Sequence, residues 1–580
     1  MTDYYKKHKK ACDRLSLIAF FIVLACLINF QYIRNFAILG AHDLPFHYQR
    51  VNNLIHNIEN FNFNPLINTY SFNLIGSAVA STYPNLVIYI WAILILIFQN
   101  QVLAYLLLLL LTTFVVLIST YYSFLSVFPD KKLEGILSAT AFASCSMIGY
   151  YQYISGDLGA VWSIGLMPMA CAGLYHLITN NKYKMLSLAM SLLVLTHILN
   201  TLIVAFTLLI ILLINFKKID SRLIKSLSKA IGITILLTSI FWIKLATIML
   251  STKIDTPKSL NLLWPMQVNI IWDSITSFTY RWDITLIAVL GLVIGLMLFK
   301  ILPNVLRSCV LTSFIILLLS SALVPWKALE KSPLGMIQWV ARILIFPELI
   351  GCIVFSFVLL QIFKNKLAKY KTWAFCVLFL AILGINFSIQ TQFYDFSKDD
   401  TELNQMWTGS NPLPTRDDRR SYKLINNDQI NSILWYIDAT DYLPVKTLKV
   451  YNKIVYPFNM SINAKNKTAF KVDAVAKPDG STLKFDANKN YKEVELPFVL
   501  YNKMYKVTLD GKPVKTIIGK HALLQLNNVR KGHHTVEVVY SNIKLTMIKL
   551  VSAILFVIGL IGLIGPEWFK KIIKSKKLTK

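Results

Sequence analysis

Apolar runs of about 20 residues recur through the first two-thirds of this sequence, and each is long enough to cross a bilayer as a helix. Only 15% of the 580 residues are charged and 55% are hydrophobic, with a mean hydropathy of +0.54. A soluble chain of this length carries about 25% charged residues, so the pattern implies a multi-span membrane protein. Spans are expected at 15–39, 83–98, 101–128, 134–152, 158–179, 184–215, 230–250, 283–301, 305–325, 339–363, 371–390 and 546–565. Thr196-His197 and Asn200-Thr201 interrupt the long 184–215 run, so the count stands at about 12–14. The first run follows Lys6, Lys7, Lys9, Lys10 and Arg14 and lacks an A-x-A-like cleavage site, which reads as a retained span.

The net charge of +29 would suggest nucleic acid in a soluble protein. Here the basic residues gather in short loops, namely 217–229, 300–307 and 364–372, and in the tail from Lys570. The positive-inside rule accounts for that, with both termini cytoplasmic, and no nucleic-acid module is visible. Two places resist a simple alternation. Asp130-Lys131-Lys132 falls outside in this count and Tyr151–Asp157 inside; splitting 184–215 and letting 101–128 fold back moves Asp157 to the outer face. Seven cysteines lie scattered in or beside spans with no paired spacing, so neither a disulfide framework nor a zinc site is indicated.

Between the penultimate and last spans the pattern changes. Residues 447–451, 470–474, 505–509, 514–518 and 534–540 alternate apolar and polar residues, as half-buried strands do. Asp510-Gly511 is a hairpin signal, and Pro478-Asp479-Gly480 and Arg530-Lys531-Gly532 read as turns. The expected organisation is therefore a membrane domain (1–390) with an outer loop (40–82), a β-rich extracytoplasmic domain (391–545), and a last helix with a basic tail (546–580).

One stretch after the first span concentrates titratable groups, since His42, Asp43, His47 and Arg50 fall within nine residues. A helix starting at Pro45 puts His47 and Arg50 on one face and Asp43 at its N-terminus, where a carboxylate is favoured. The bland reading is a polar cap. Val51, Leu54, Ile55 and Ile58 form an apolar stripe at helical spacing, suited to a membrane-surface helix or to packing on neighbouring spans. Arg342 lies in an apolar run, where a cation is functional or paired, for example with Glu348. His197 reads chiefly as a helix–helix hydrogen bond. A metal set of His42, Asp43 and His47 is permitted by residue type but has no fourth ligand, so no cofactor is indicated.

Several short motifs, in order, resemble the YfhO-like and 6-pyruvoyl-tetrahydropterin synthase-related families of bacterial integral membrane proteins. They are Gly40-Ala-His-Asp-Leu-Pro-Phe-His47 with Arg50, Tyr83-Pro84, Gly156-Asp157-Leu-Gly159, Leu166-Met-Pro168, Gly173-Leu-Tyr175, Leu195-Thr-His197, Ser332–Gln338 with Arg342, Asp441-Tyr-Leu-Pro444, and the 505–512 and 532–540 hairpins. Two departures stand out: Gln338-Trp-Val-Ala-Arg342 lacks the family's Phe-Pro pair, and Ala160 replaces an acidic residue.

The resemblance implies a GT-C-type glycosyltransferase acting on the outer face of the cell membrane. The donor would be a polyprenyl-phosphate sugar, and the acceptor a cell-envelope glycan, teichoic acid or protein. Asp43 would be the catalytic base, with His42 and Asp157 beside it. Arg50, His47, Tyr83, Gln338 and Arg342 would bind substrate or phosphate. A base for the acceptor hydroxyl and cations for the departing phosphate are what such a transfer needs. The competing readings are a transporter or flippase, which calls for repeats and broken helices at a midplane site, and a non-catalytic member of an envelope-polymer assembly.

Overall fold

The computed structural model describes residues 2–40, 43–256, 262, 284–366, 368–396, 422–424, 426–434, 440–455 and 459–578. His42 lies outside them. The chain is an α-helical polytopic membrane protein with a β-rich domain inserted before its last helix. Among the described residues six helices are long and apolar enough to span: Ala11–Ile28, Gln101–Val127, Leu158–Asn180, Val340–Phe363, Lys371–Thr391 and Ile543–Gly565. Ser221–Leu237 and Ser239–Met249 form a seventh span if taken together across their 68° bend. Five shorter apolar helices accompany them: Leu86–Phe98, Lys184–Thr196, Ile198–Ile214, Leu286–Met297 and Asn304–Ser320. The 184–215 run thus breaks at His197.

The segment expected to span at 83–98 does something else. Leu86–Phe98 has 13 residues and so rises only about 20 Å, short of the roughly 30 Å hydrocarbon core. Both of its ends are tied to the Leu44–Glu59 helix. Arg50 donates to the Pro84 carbonyl and to Asn85 Oδ1 (3.0 Å) before the helix begins, and Tyr48 donates to Gln101 Oε1 (3.0 Å) after it ends. Val51 and Leu54 are buried with Val87, Ile88 and Trp91 in one core. Much of the apolar stripe therefore packs on protein.

The two loops that resisted alternation lie at different ends of the bundle. Lys371 pairs with buried Glu134 (2.6 Å), and Lys131 donates to Gln361. Asp130-Lys131-Lys132 thereby joins the basic 364–372 loop at one end of the bundle. At the other end the Asp43 amide donates to the Ser155 carbonyl (2.9 Å), which puts the Tyr151–Asp157 turn beside the start of the Leu44–Glu59 helix.

The β-rich domain is an antiparallel nine-stranded sheet. Its strands are β1 (Met460–Asn463), β2 (Thr468–Lys477), β3 (Gly480–Ala487), β4 (Tyr491–Val499), β5 (Lys506–Leu509), β6 (Lys512–Val514), β7 (Ile517–Ile518), β8 (Leu523–Val529) and β9 (Gly532–Val539). They lie in the order β6-β5-β9-β3-β2-β1-β4-β8-β7. Asp510 and Gly511 both take positive φ (52° and 78°) in a two-residue hairpin that pairs Leu509 with Lys512, the I′-type geometry that such pairs favour.

The expected strand at 447–451 is instead two short helical turns, Thr447–Val450 and Tyr451–Ile454. Thr447, Val450, Tyr451 and Ile454 are the buried residues there, a helical spacing that the local alternation concealed.

Residues 62–78 are built into this domain. Ile75 and Ala78 lie in the same apolar core as Phe498, Val499 and Val536. Asp479, in the turn between β2 and β3, accepts hydrogen bonds from the amides of Leu66 (2.6 Å) and Ile67 (3.0 Å) and from Asn62 Nδ2 (3.0 Å). Tyr501 accepts from the Ala78 amide (2.9 Å) and donates to the Tyr442 carbonyl (3.2 Å).

Candidate active site

The Gly156-Asp157-Leu-Gly159 turn organises the site. Gly156 has φ +75°, and a Cβ there would lie 2.7 Å from the Leu44 Cβ, so only glycine suits both backbone and space. The turn ends the π-helical stretch Tyr150–Ser155 and lets Asp157 cap the Leu158–Asn180 helix, its Oδ1 accepting from the Ala160 amide (3.0 Å). Gly159 allows that helix to approach the Thr196 carbonyl, which would lie 3.0 Å from an added Cβ.

Two histidines from separate elements converge on Asp157. His47 Nε2 lies 3.3 Å from Oδ1, and His197 Nε2 lies 3.4 Å from Oδ2. All three are buried, at 5%, 6% and 5% exposure for His47, His197 and Asp157. Their other partners fix the tautomers. Arg50 Nη1, which can only donate, lies 2.9 Å from His47 Nδ1. The Asn200 amide donates to His197 Nδ1 (3.2 Å). Both Nδ1 atoms therefore accept, and both Nε2–H groups donate to Asp157. Burial pushes the Asp157 carboxyl up, but the two histidines outweigh it and hold the group well below the ordinary carboxylate range.

Arg50 is 4% exposed and sits between His47, the Pro84 carbonyl and Asn85, with its guanidinium 4.3 Å from the Tyr83 ring centroid. Burial lowers it to about 10, against the opposing pull of Tyr83, Asp157 and Tyr442, so it stays cationic at neutral pH. Its Nε has no hydrogen-bond partner among the described residues. Tyr83 feels Asp157, Tyr442, Arg50 and Asp43 electrostatically, and burial first of all holds its hydroxyl well above the ordinary range, leaving a donor. A narrow crevice lies among His47, Arg50, Val87, Trp91, Leu158 and Thr196.

Asp43 occupies the N-cap position of the Leu44–Glu59 helix, yet its side chain makes no capping hydrogen bond. Ser155 Oγ donates to its Oδ2 instead (2.8 Å). The carboxylate is held by the Asp157 turn and not spent on the helix end. Tyr151 hydrogen-bonds Arg342 and feels both Asp157 and Asp43, so Arg342 belongs to the same cluster.

Among the expected residues, Asp43, His47, Arg50, Tyr83, Asp157 and Arg342 are thus brought together. Gln338 sits in left-handed backbone (φ 61°) at the end of the Pro333–Ile337 turn. Ala160 is fully buried. Among the described residues no three His, Cys, Asp or Glu side chains gather as a metal set.

Sequence reasoning gave His197 too small a role and assigned none to Tyr442. His197 caps the Ile198–Ile214 helix, and the signal was the polar break with Asn200 three residues on, an N-cap spacing. Tyr442, in the Asp441–Pro444 motif, stands edge-to-face with Tyr83 at 6.2 Å.

No family model and no curated protein matches the sequence. Solved structures do resemble it. The arabinofuranosyltransferase AftD from Mycobacteria is similar over 91% of this chain and 40% of its own, at 12% identity and a TM-score of 0.49. ArnT from Cupriavidus metallidurans, bound to undecaprenyl phosphate, is similar over 63% of each chain, at 9% identity and a TM-score of 0.36. The chain spans less than two thirds of either.

Proposed function

We propose that the chain is a GT-C-type membrane glycosyltransferase, with the Asp43 end of the bundle facing outward and both termini cytoplasmic. It would move a sugar from a polyprenyl-phosphate donor to a cell-envelope acceptor. The observation that carries this reading is the Asp43 carboxylate, held by Ser155 and not used as a helix cap, and felt by Tyr83 beside Arg50 and by Tyr151, which hydrogen-bonds Arg342. An acceptor hydroxyl would give its proton to Asp43 as its oxygen bonds to the anomeric carbon. The bond from that carbon to the phosphate oxygen breaks, and polyprenyl phosphate leaves as an anion. Arg50, Arg342 and the Tyr83 hydroxyl would stabilise the departing charge, Arg50 with its unspent Nε. His47, Asp157 and His197 would hold Arg50 in place.

The test is genetic. Cells lacking the native copy receive the wild-type chain or Asp43→Asn, and their envelope glycans are compared by mass spectrometry. A sugar that appears with the wild type and not with Asp43→Asn supports the reading. The same decoration with both removes Asp43 as the base.

A further inference from the structure

Phe72, Asn73 and Leu74 take positive φ in succession (53°, 59°, 59°). For residues with side chains each such conformation costs on the order of 1–3 kcal/mol and persists only where the surroundings impose it. Here both domains impose it. Gln49 Oε1, on the helix that carries His47 and Arg50, accepts from the Phe72 amide (2.8 Å). Asn73 Nδ2 donates to the Tyr451 hydroxyl of the β-rich domain (3.2 Å).

This turn forms one wall of an open cleft of about 170 Å³ in the β-rich domain. Asn459 lines it, and Lys471 and Asp473 on β2 present their exposed side chains to it on either side of buried Val472, with Ile454 and Pro497 as apolar floor. The polar rim therefore holds one cation, one anion and two amides. Such a rim offers donors and acceptors in balance and no net charge, which suits a neutral polyhydroxylated ligand better than a phosphate. The far side of the turn leads to the Asp157 cluster: the Phe72 ring stands edge-to-face on Phe46 (5.5 Å), which contacts His47 (5.4 Å) and Tyr83 (5.8 Å).

We propose that this cleft is an acceptor subsite for a neutral glycan, coupled to the Asp157 cluster through the strained Phe72–Leu74 turn. It rests on the reading of the chain as a glycosyltransferase. Occupancy beside Asn73 would press on a turn whose other face positions Phe46, and so would sense the acceptor before transfer.

Saturation-transfer NMR on the full-length protein in detergent tests this, with chitobiose, cellobiose and mannobiose as neutral probes and glycerol 3-phosphate as the anionic one. At least one neutral disaccharide is expected to bind. Because hydrogen bonds to two charged groups are removed, Lys471→Ala/Asp473→Ala should weaken that binding at least about tenfold, whereas Asp43→Asn should leave it unchanged. Absence of neutral binding, insensitivity to the double substitution, or tighter binding of glycerol 3-phosphate overturns the proposal. Failure of the catalytic reading is distinguishable: disaccharide binding then persists while Asp43→Asn keeps the envelope sugar.

Discussion

Replacing Asp157 with Asn isolates what the two histidines need. Asparagine caps helices as well as aspartate, so the bond from the Ala160 amide survives. Oδ1 then still serves His47, but an NH₂ group faces His197 Nε2–H where Oδ2 stood at 3.4 Å. His197 cannot escape by changing tautomer, because its Nδ1 accepts from the Asn200 amide. One buried donor is left without an acceptor, at a cost of about 1–3 kcal/mol. Thermal unfolding in one detergent, followed by tryptophan fluorescence, measures this against wild type, His197→Ala and the double variant. The double variant should be less destabilised than the two single losses combined, because removing His197 also removes the stranded donor. The sign of the pH dependence follows from the depressed Asp157 group. Its contribution is present above the unfolded value near about 4 and is lost only as pH falls through the lower folded value. The gap between wild type and Asp157→Asn should therefore hold from pH 7 to about 4 and close below. An Asn variant within about 0.5 kcal/mol of wild type at pH 7, or strictly additive single losses, refutes the tautomer assignment.

Three further outcomes are expected. Gly156→Ala forces a methyl to 2.7 Å from the Leu44 Cβ at φ +75° and should cost about 1–3 kcal/mol, read as a lowered Tm. Asp479→Ala strands the Leu66 and Ile67 amides and should cost about 3 kcal/mol, with limited proteolysis cutting the 60–70 loop faster than in wild type. In the 505–516 hairpin, Asp510 is held low, because the bond from the Thr535 amide and the His534 contact overcome its burial, while His534 is held high by Asp510 and the Arg530 carbonyl against its own burial. The Asp510 part is lost as pH drops below about 4, and the His534 part as pH rises above about 6.5. Hairpin amide protection, corrected for intrinsic rates, should thus peak between those values, and Asp510→Asn should flatten the profile.

Much of this fold was legible because apolar length and basic loops are strong signals. The Asp510-Gly511 hairpin and the Gly156–Gly159 turn were legible because their backbones demand those residue types. Leu86–Phe98 was not, since a helix packed along a neighbour and one that crosses a membrane share the same composition. Only the ties from Arg50 and Tyr48 at its two ends separate them. The 447–451 segment misled for the converse reason, because its alternation is short and its helical burial extends to Ile454, beyond the window that suggested a strand. At the site, His47, Arg50 and Asp43 were legible from their spacing in one loop. The meeting of His47 with His197, 150 positions later in the chain, depends on tertiary packing that spacing does not encode.

The most direct measurement is donor turnover. Full-length protein in proteoliposomes is given radiolabelled polyprenyl-phosphate hexoses and N-acetylhexosamines together with envelope extract, and release of free polyprenyl phosphate is followed. General-base removal typically costs about 10²–10⁴-fold, so the wild type should release the carrier from at least one donor and Asp43→Asn should be slower by that factor. Equal release by the two proteins, or none by the wild type from any donor, contradicts the assignment of this chain as a transferase acting through Asp43.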